Sequence, residues 1–554
     1  MNKGKKVLIV GGVAGGATAA ARLRRLDEHA DIIMFERDEH ISFANCGLPY
    51  YIGDTILDRS KLLVQTPQAM KQRFNIDIRT FSEVTAINSE RKTVTVSRLE
   101  GGTYEESYDE LILSPGAKPI KPPVTGIDSP LIFTLRNIAD TDRMKGYIQQ
   151  ESIKKAVVIG CGFIGIEMAE NLIQLGIEVT VVEAAPHILA PFDSDLAVYA
   201  EKELQDNGVR FALGDGVKAF RETESGIAME LQSGKAIEAD IALLAIGVRP
   251  DTAFVQDSGI ELGAKGHIIV NERMETNVKD IYAVGDAVEI VHFVHGGKSA
   301  IPLAGPANKQ GRIVADNVSG SGGVYQGAQG TSIIKLFEMT AAATGLNERE
   351  LQRLGLQYEV VHVHPASHAT YYPGASQMAI KLLFNRVGRI WGAQAFGKDG
   401  VDKRIDVIAT VIRLKGTVQD LAELELSYAP PYSSAKDPVN IAGYAAQNIL
   451  AGKTDVFLPR DIKDWDAERT QLIDVRTAGE HAKGHIAGSI NIPVDELRDR
   501  LDEIDGSKEI WVYCQVGLRG YTASRILVQH GFNVKNMTGG YKSYAMEQFC
   551  TESH

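Results

Sequence analysis

Twice along this chain an apolar strand runs into a glycine turn, a helix, a second strand and then a glutamate, and no other feature restricts the fold as much. The first copy opens with Lys5–Val10, whose unbroken apolar run reads as a buried parallel strand. Gly11-Gly12-Val13-Ala14-Gly15-Gly16 follows, then a helix over Ala17–Leu26 and a strand over Asp31–Phe35 that ends at Glu36, twenty residues beyond Gly16. The second copy runs from Ala156–Ile159 through Gly160-Cys161-Gly162-Phe163-Ile164-Gly165, a helix to Leu175 and a strand over Glu178–Val182. It ends at Glu183, 18 residues after the last glycine. Glycines at these places let the backbone approach a pyrophosphate at a helix N-terminus, and the acid accepts ribose hydroxyls. The second turn is a full G-x-G-x-x-G. In the first, Val13 holds the usual second-glycine position.

Two dinucleotide sites in one chain predict a flavin together with a nicotinamide. Glu183 suits an adenosine 2′-hydroxyl and repels a 2′-phosphate, and Ala184 and Ala185 bring no arginine for that phosphate. NADH is therefore favoured, with NADPH still possible. Cys161 occupies a variable motif position and is expected to be structural. Glu167 has two readings: a carboxylate facing the path of a nicotinamide, or an acid that suits a helix N-terminus. The second unit lies inserted in the first, whose chain resumes with Thr276 to Ala287 and its Gly285-Asp286 turn, which would set one carboxylate beside ligand hydroxyls. A helix follows across Ala304–Arg312.

Between the two turns lies Ser42-Phe43-Ala44-Asn45-Cys46-Gly47-Leu48-Pro49-Tyr50-Tyr51. A cysteine among Gly and Pro sits on a loop or at a helix start, where amide dipoles and nearby cations can lower a thiol's pKa. No second cysteine lies near Cys46 in the sequence. A redox-active Cys46 thus needs a small-molecule thiol or an oxygen as partner, and the alternative is a buried, inert thiol. Arg22 and Arg25, three apart on the first helix, form either a solvated basic face or a clamp for ligand phosphates.

Composition narrows the class. The net charge of -12 argues against nucleic acid as a partner. No apolar run reaches the ~20 residues of a membrane span, and the N-terminus lacks a signal-peptide layout. Four cysteines, Cys46, Cys161, Cys514 and Cys550, lie far apart, which suits a reducing, cytoplasmic setting. Cys550 reads as a tail residue.

From Thr331 to Leu450 strand-like and helix-like runs alternate, with strands expected at Thr331–Phe337 and Gln377–Phe384 and a helix at Val401–Leu414. Two stretches are rich in Tyr, Gly and Pro: Thr370-Tyr371-Tyr372-Pro373-Gly374, and Leu426 to Pro438, which contains Tyr428 and Lys436. Residues 451–460 read as a linker. Beyond it come Asp474-Val475-Arg476, then Gly484-His485-Ile486-Ala487-Gly488-Ser489, then a strand over Ile510–Tyr513. Cys514-Gln515-Val516-Gly517-Leu518-Arg519-Gly520 follows, then a helix over Tyr521–His530. A cysteine opening such a loop has backbone amides and Arg519 directed at it, a cradle for a thiolate, a persulfide or an oxyanion. Asp474, Arg476 and His485 are expected to be structural.

On these residues the chain resembles the pyridine-nucleotide–disulfide oxidoreductase family, and within it the single-cysteine coenzyme A disulfide reductases, from residue 5 to about 450. The segment after the linker resembles the rhodanese domain. The resemblance implies an α/β protein: an FAD-binding domain at 1–115 and 250–325, an NAD(P)H-binding domain at 116–249, an α+β dimerisation domain at 326–450 and a rhodanese domain at 461–554. It implies FAD on Gly11, Gly12, Ala14, Gly15, Gly16, Glu36, Arg37, Asp286 and Ala304. The nicotinamide nucleotide falls to Gly160, Gly162, Phe163, Ile164, Gly165, Glu167 and Glu183. Cys46 becomes the redox cysteine, with Tyr428 and, over Tyr372, Tyr371 reaching the partner subunit's sulfur across a homodimer. Thr18, Arg22, Arg25, Ser42, Asn45, Arg73, Asn308 and Lys436 become contacts for coenzyme A or the reacting sulfur, and no metal is implied. Cys514, with Arg519 beside it, would carry sulfane sulfur. The implied activity is NAD(P)H-dependent reduction of a coenzyme A persulfide, polysulfide or coenzyme A disulfide. Two alternatives stand beside it. One is an NADH oxidase or peroxidase that cycles Cys46 through a sulfenic acid, against which the related enzymes' histidine near position 14 is replaced by Ala14. The other is a sulfur carrier or redox sensor.

Overall fold

The computed structural model describes residues 4–552, and the Cys550 side chain lies outside what it describes. The chain divides into two compact units. One runs through Ala184 and includes Val209–Phe211 and Asp215–Gly330. The other holds Ala185–Gly208, Ala212–Gly214 and the chain from Thr331 on.

In the first unit a parallel sheet takes the order Ile281–Ala283, Glu110–Leu113, Lys6–Val10, Asp31–Phe35, Asp77–Arg79. Lys6 lies opposite Asp31 and Val10 opposite Phe35. Lys6–Val10 is central and covered on both faces, so Val7, Leu8 and Ile9 are fully buried and the strand's sequence does not alternate. Its C-terminal end delivers the first glycine turn, beside the end that delivers Glu36. The helix that follows spans Ala14–Leu26. It starts earlier than its sequence suggests, because Gly15 and Gly16 are already helical. Their lack of side chains is required by packing: a Cβ on Gly16 would meet the Gly11 carbonyl oxygen at 1.9 Å, and one on Gly311, in the helix Ala304–Val318, would meet that of Gly15 at 2.4 Å.

A second sheet in this unit sets Glu178–Glu183, Lys155–Ile159, Ile241–Leu244 and Ile132–Phe133 side by side, all parallel. Its helix spans Phe163–Gln174. Each sheet is accompanied by a three-stranded antiparallel meander, Ser82–Asn88, Thr93–Arg98 and Thr103–Ser107 for one, Val217–Thr223, Gly226–Leu231 and Ala236–Ala239 for the other. The repeat legible in the sequence is thus a repeat of structure.

The second unit contains an antiparallel sheet ordered Ser332–Leu336, Met339–Gly345, Ile390–Gly397, Ala379–Phe384, Glu359–Val363, with the helix Val401–Arg413. A separate parallel sheet takes the order Asp455–Phe457, Val534–Met537, Glu509–Tyr513, Thr470–Asp474, Ile490–Asn491. Residues 451–460, expected as a linker, contribute the edge strand of this sheet: Asp455 to Phe457 pair in parallel with Lys535 to Met537. Lys381, fully buried in the antiparallel sheet, holds Asp193 at 3.0 Å, Asp195 at 2.7 Å and also Glu348. Three carboxylates this close resemble a cation site, but here the ammonium supplies the positive charge. Among the described residues no helix is long and apolar enough to cross a membrane.

Candidate active site

The two glycine turns are built alike. Gly11 and Gly160 take φ of +93° and +100°, open only to glycine at little cost. In the first turn the Gly12 N–H donates to Glu36 Oε2 at 2.9 Å, and in the second the Cys161 N–H donates to Glu183 Oε2 at 2.8 Å. Each acid is therefore locked to the turn it serves. Burial pushes the Glu36 carboxyl up, and bonds from the Gly12 and Asp38 amides pull against that. A Cβ on Gly162 would meet nothing within 4 Å, whereas one on Gly165 would strike the Gly160 carbonyl oxygen at 2.0 Å. Gly162 faces open space and Gly165 is packing, as a turn that receives a pyrophosphate requires. Both sites fit a dinucleotide. Phe163 and Ile164 open the second helix, and Ile164 is exposed. Val13 precedes Ala14 at the start of the first.

Asp286 lies in the turn Gly285–Ala287 and accepts from Arg136 Nη2 at 3.1 Å. Gln310 Oε1 fixes that turn by accepting from the Gly285 N–H at 2.7 Å. Arg37 is paired with Asp251 at 2.5 Å. Ala304 begins the helix Ala304–Val318.

Cys46 sits exposed on the one-turn segment Asn45–Gly47, just before the short helix Leu48–Ile52. The expectation of a cation-lowered thiol is corrected here. Partial enclosure pushes the Cys46 thiol up, and the carboxylates of Glu167 and Asp286 push it further. Glu167 comes from the helix Phe163–Gln174, and burial raises its carboxyl to about 7. The Tyr50 hydroxyl, on the short helix after Cys46, donates to Glu167 Oε1 at 3.4 Å. The first unit therefore brings together Cys46, Glu167 and Asp286. Sequence reasoning singled out these three residues separately, without their shared electrostatics, and missed Tyr50 and Arg136.

Among the expected substrate contacts, Thr18 and Asn308 do meet: the Thr18 hydroxyl donates to Asn308 Oδ1 at 2.6 Å. Asn45 Oδ1 is buried and has no partner among the described groups, a vacant acceptor beside the cysteine. Ser42 takes a left-handed φ of +44°, and its amide donates to the Gly12 carbonyl at 2.8 Å, tying the cysteine loop to the first glycine turn. Arg22 is held by Asp316 at 2.8 Å rather than left for a phosphate. Arg25 lies 5.8 Å from the Phe74 ring centre, and Arg73 is exposed on the helix Pro67–Phe74.

In the second unit the Tyr371 and Tyr428 hydroxyls lie 2.9 Å apart, both on exposed residues. Lys436 is exposed as well. The Cys514 sulfur accepts from the Gly517 N–H at 3.1 Å, and Gly517 reaches that position with φ +100°. Arg519 acts on Cys514 through its charge, as expected, but its guanidinium is also held by a carboxylate. Its two terminal nitrogens donate to the two oxygens of Glu480 at 2.8 and 2.7 Å. Glu480 also closes a capping box with Thr477, a T-x-x-E signal legible in the sequence, although its partner 39 positions away is not. Asp474 and Arg476 are buried and paired at 2.7 Å, and His485 stacks on His481 with ring centres 3.9 Å apart.

The family model described as pyridine nucleotide-disulphide oxidoreductase matches residues 5–311, that of its dimerisation domain 331–438, and that of the rhodanese-like domain 459–547. A coenzyme A disulfide reductase of Staphylococcus aureus (strain Mu3 / ATCC 700698) is 40% identical over 446 residues, 80% of this chain and 100% of that protein. Among solved structures, reduced Bacillus anthracis CoADR-RHD matches with a TM-score of 0.96 at 52% identity, over 98% of each chain. An NAD-dependent persulfide reductase from A. fulgidus matches with a TM-score of 0.91 at 36% identity, over 97% of this chain and 100% of that one.

Proposed function

The chain belongs to the pyridine nucleotide-disulphide oxidoreductase family, and from that premise we propose that it is an NADH-dependent flavoprotein reductase of sulfur–sulfur bonds that works through Cys46. Its substrates are coenzyme A persulfide, polysulfide or coenzyme A disulfide. The observation that carries this reading is the lone Cys46 thiol held beside Glu167 and Asp286, in the unit that also contains both dinucleotide turns. Likeness to a coenzyme A disulfide reductase and to a persulfide reductase supports it.

Glu36 and Asp286 would hold hydroxyls of FAD and Glu183 those of NADH, and the bound pair would supply the two electrons that return Cys46 to a thiolate after it has opened the substrate's sulfur–sulfur bond. The chain's own residues do the rest. Cys46 thiolate attacks one sulfur of the substrate, a thiolate leaves, and Cys46 is left bonded to the other sulfur. The leaving thiolate needs a proton, and a carboxyl that titrates near 7, such as Glu167, can hold or release one at neutral pH. Asn45 Oδ1 accepts a donor of the substrate. Tyr371 and Tyr428 serve the partner subunit's sulfur in a cytoplasmic homodimer, with Lys436 and Arg73 on coenzyme A's phosphates. Cys514 takes up sulfane sulfur for delivery to Cys46, and fusing two stations raises the effective concentration of one site for the other's product.

The test is anaerobic NADH oxidation with coenzyme A persulfide, coenzyme A disulfide and peroxide, comparing wild type with Cys46→Ser and Cys514→Ser. The proposal expects Cys46→Ser to abolish persulfide turnover, and Cys514→Ser to impair only polysulfide or protein-bound sulfur. Peroxide as the best substrate, together with a silent Cys514→Ser, overturns it.

A further inference from the structure

We propose that Glu480 is a specificity-determining residue of the Cys514 station. By binding Arg519, it makes the station accept sulfane sulfur from thiol-borne persulfides and reject inorganic oxyanion donors such as thiosulfate. This rests on the reading of Cys514 as a sulfur acceptor and adds the class of donor.

Three observations carry it. First, both terminal nitrogens of Arg519, the cation at the end of the cysteine loop, are committed to Glu480. The Glu480 carboxylate takes the end-on fork of that guanidinium and balances its charge, leaving only the Nε side for a sulfonate. Second, the other arginine at the loop is committed too. Arg476 donates to both oxygens of Asp474, to the Gly484 carbonyl at 2.7 Å and to the Gln515 side chain at 3.2 Å. Two arginines thus face two carboxylates, and the local charge cancels. Third, Leu518, the first residue of the helix Leu518–Gln529 that follows Gly517, is 72% exposed. An exposed apolar side chain next to Gly517, which binds the sulfur, suits an organic arm and offers nothing to an inorganic dianion. The sulfur itself is served by an uncharged donor, the Gly517 N–H.

The transfer balances without a redox partner. Cys514 thiolate attacks the outer sulfur of R–S–SH and forms the new sulfur–sulfur bond. The old bond breaks, its electron pair leaves on RS⁻, and the hydrogen stays on the transferred sulfur. Thiosulfate would bring two negative charges into a site whose cations are already neutralised.

The experiment measures sulfur loading of Cys514 in the full-length holoenzyme, by peptide mass spectrometry and by transfer to cyanide, with coenzyme A persulfide or thiosulfate as donor. Wild type is expected to favour the persulfide by about tenfold or more in kcat/KM, the scale of one charge-assisted hydrogen bond. Glu480→Gln keeps the capping role, since glutamine also closes such a box, but releases Arg519. It is expected to improve thiosulfate about tenfold, mainly through KM, with Glu480→Asp restoring the original preference. Leu518→Ser, at an exposed position, is expected to weaken the persulfide donor and leave thiosulfate unchanged. Equal use of both donors by wild type, or a Glu480→Gln variant with an unaltered donor ratio, overturns the proposal. Loading by neither donor would instead overturn the reading of Cys514 as a sulfur acceptor.

Discussion

Cys46 and Cys514 are both cysteines at the start of a glycine-containing turn, yet their surroundings oppose each other. Cys46 is partly enclosed and has two carboxylates acting on it, and both effects push its thiol up. Cys514 is buried, accepts a backbone hydrogen bond, and stands beside an arginine neutralised by a glutamate. The difference separates two ways of controlling a sulfur. At Cys514 the backbone does the work, and a persulfide can rest in a site of little net charge. At Cys46 control is electrostatic and conditional, because Glu167, with its carboxyl near 7, changes charge in the physiological range. A thiol beside a titrating carboxylate is sensitive to whatever protonates that carboxylate.

The largest effect that can break this comparison is removal of either sulfur. Cys46→Ser should lower NADH-dependent persulfide reduction on the order of 10³-fold or more, as loss of a nucleophile does, while Cys514→Ser leaves coenzyme A disulfide reduction within twofold. Steady-state rates with each substrate check both halves. If the two variants lose the same activities, the sites do not have separate duties.

Next comes Glu167→Gln. Enclosure and then the Glu167 charge raise the Cys46 thiol, so removing that charge should lower the thiol's pKa and make alkylation above pH 7 severalfold faster. In wild type the acceleration with pH should be blunted above about 7, where Glu167 becomes anionic and pushes the thiol up. Iodoacetamide rates across pH 5.5 to 9, followed by Cys46 peptide mapping, measure this. An unchanged or raised thiol pKa in the variant would exclude Glu167 as the controlling charge. At Cys514 the matching change is in the backbone. Gly517→Ala forces a side chain into φ +100° at a cost of roughly 1–3 kcal/mol. Sulfur loading of Cys514 should fall severalfold while Cys46-dependent reduction of coenzyme A disulfide is retained, read from the same loading and rate measurements.

The sequence made both dinucleotide turns legible because their chemistry is local: a glycine, its helix and the acid that closes the unit lie within one short supersecondary repeat. Even there the first helix begins at Ala14 and not Ala17. Gly15 and Gly16 read as helix breakers by propensity, but close packing on the Gly11 carbonyl and on the helix Ala304–Val318 requires them in the helix. What stayed hidden is pairwise and long-range. Arg22 was legible as a basic residue, but its partner Asp316 was not. Arg519 was legible as the end of a cysteine loop, without the Glu480 that binds it. The sign of the shift at Cys46 was misread for the same reason. Local sequence offers Gly and Pro around the thiol, whereas the charges that act on it, Glu167 and Asp286, arrive from remote segments. The edge strand Asp455–Phe457 was read as linker because three residues carry too little periodicity to mark a strand.

The smallest test concerns Tyr50. Its hydroxyl donates to Glu167 at 3.4 Å, long for a hydrogen bond, and this contact lowers the Glu167 carboxyl against the burial that raises it. Tyr50→Phe removes the donor and keeps the ring. The Glu167 inflection should then move upward by a few tenths of a unit, since one weak bond contributes well under the 1.36 kcal/mol of a full unit. With Glu167 neutral over a wider range, Cys46 alkylation near pH 7 should become slightly faster, in the same direction as Glu167→Gln and far smaller. The double variant Tyr50→Phe/Glu167→Gln should match Glu167→Gln alone, because without a titrating carboxylate the phenol has nothing to tune. If Tyr50→Phe slows alkylation, or adds to Glu167→Gln, the phenol acts on the sulfur directly and the control of Cys46 is shared between a carboxylate and a hydroxyl.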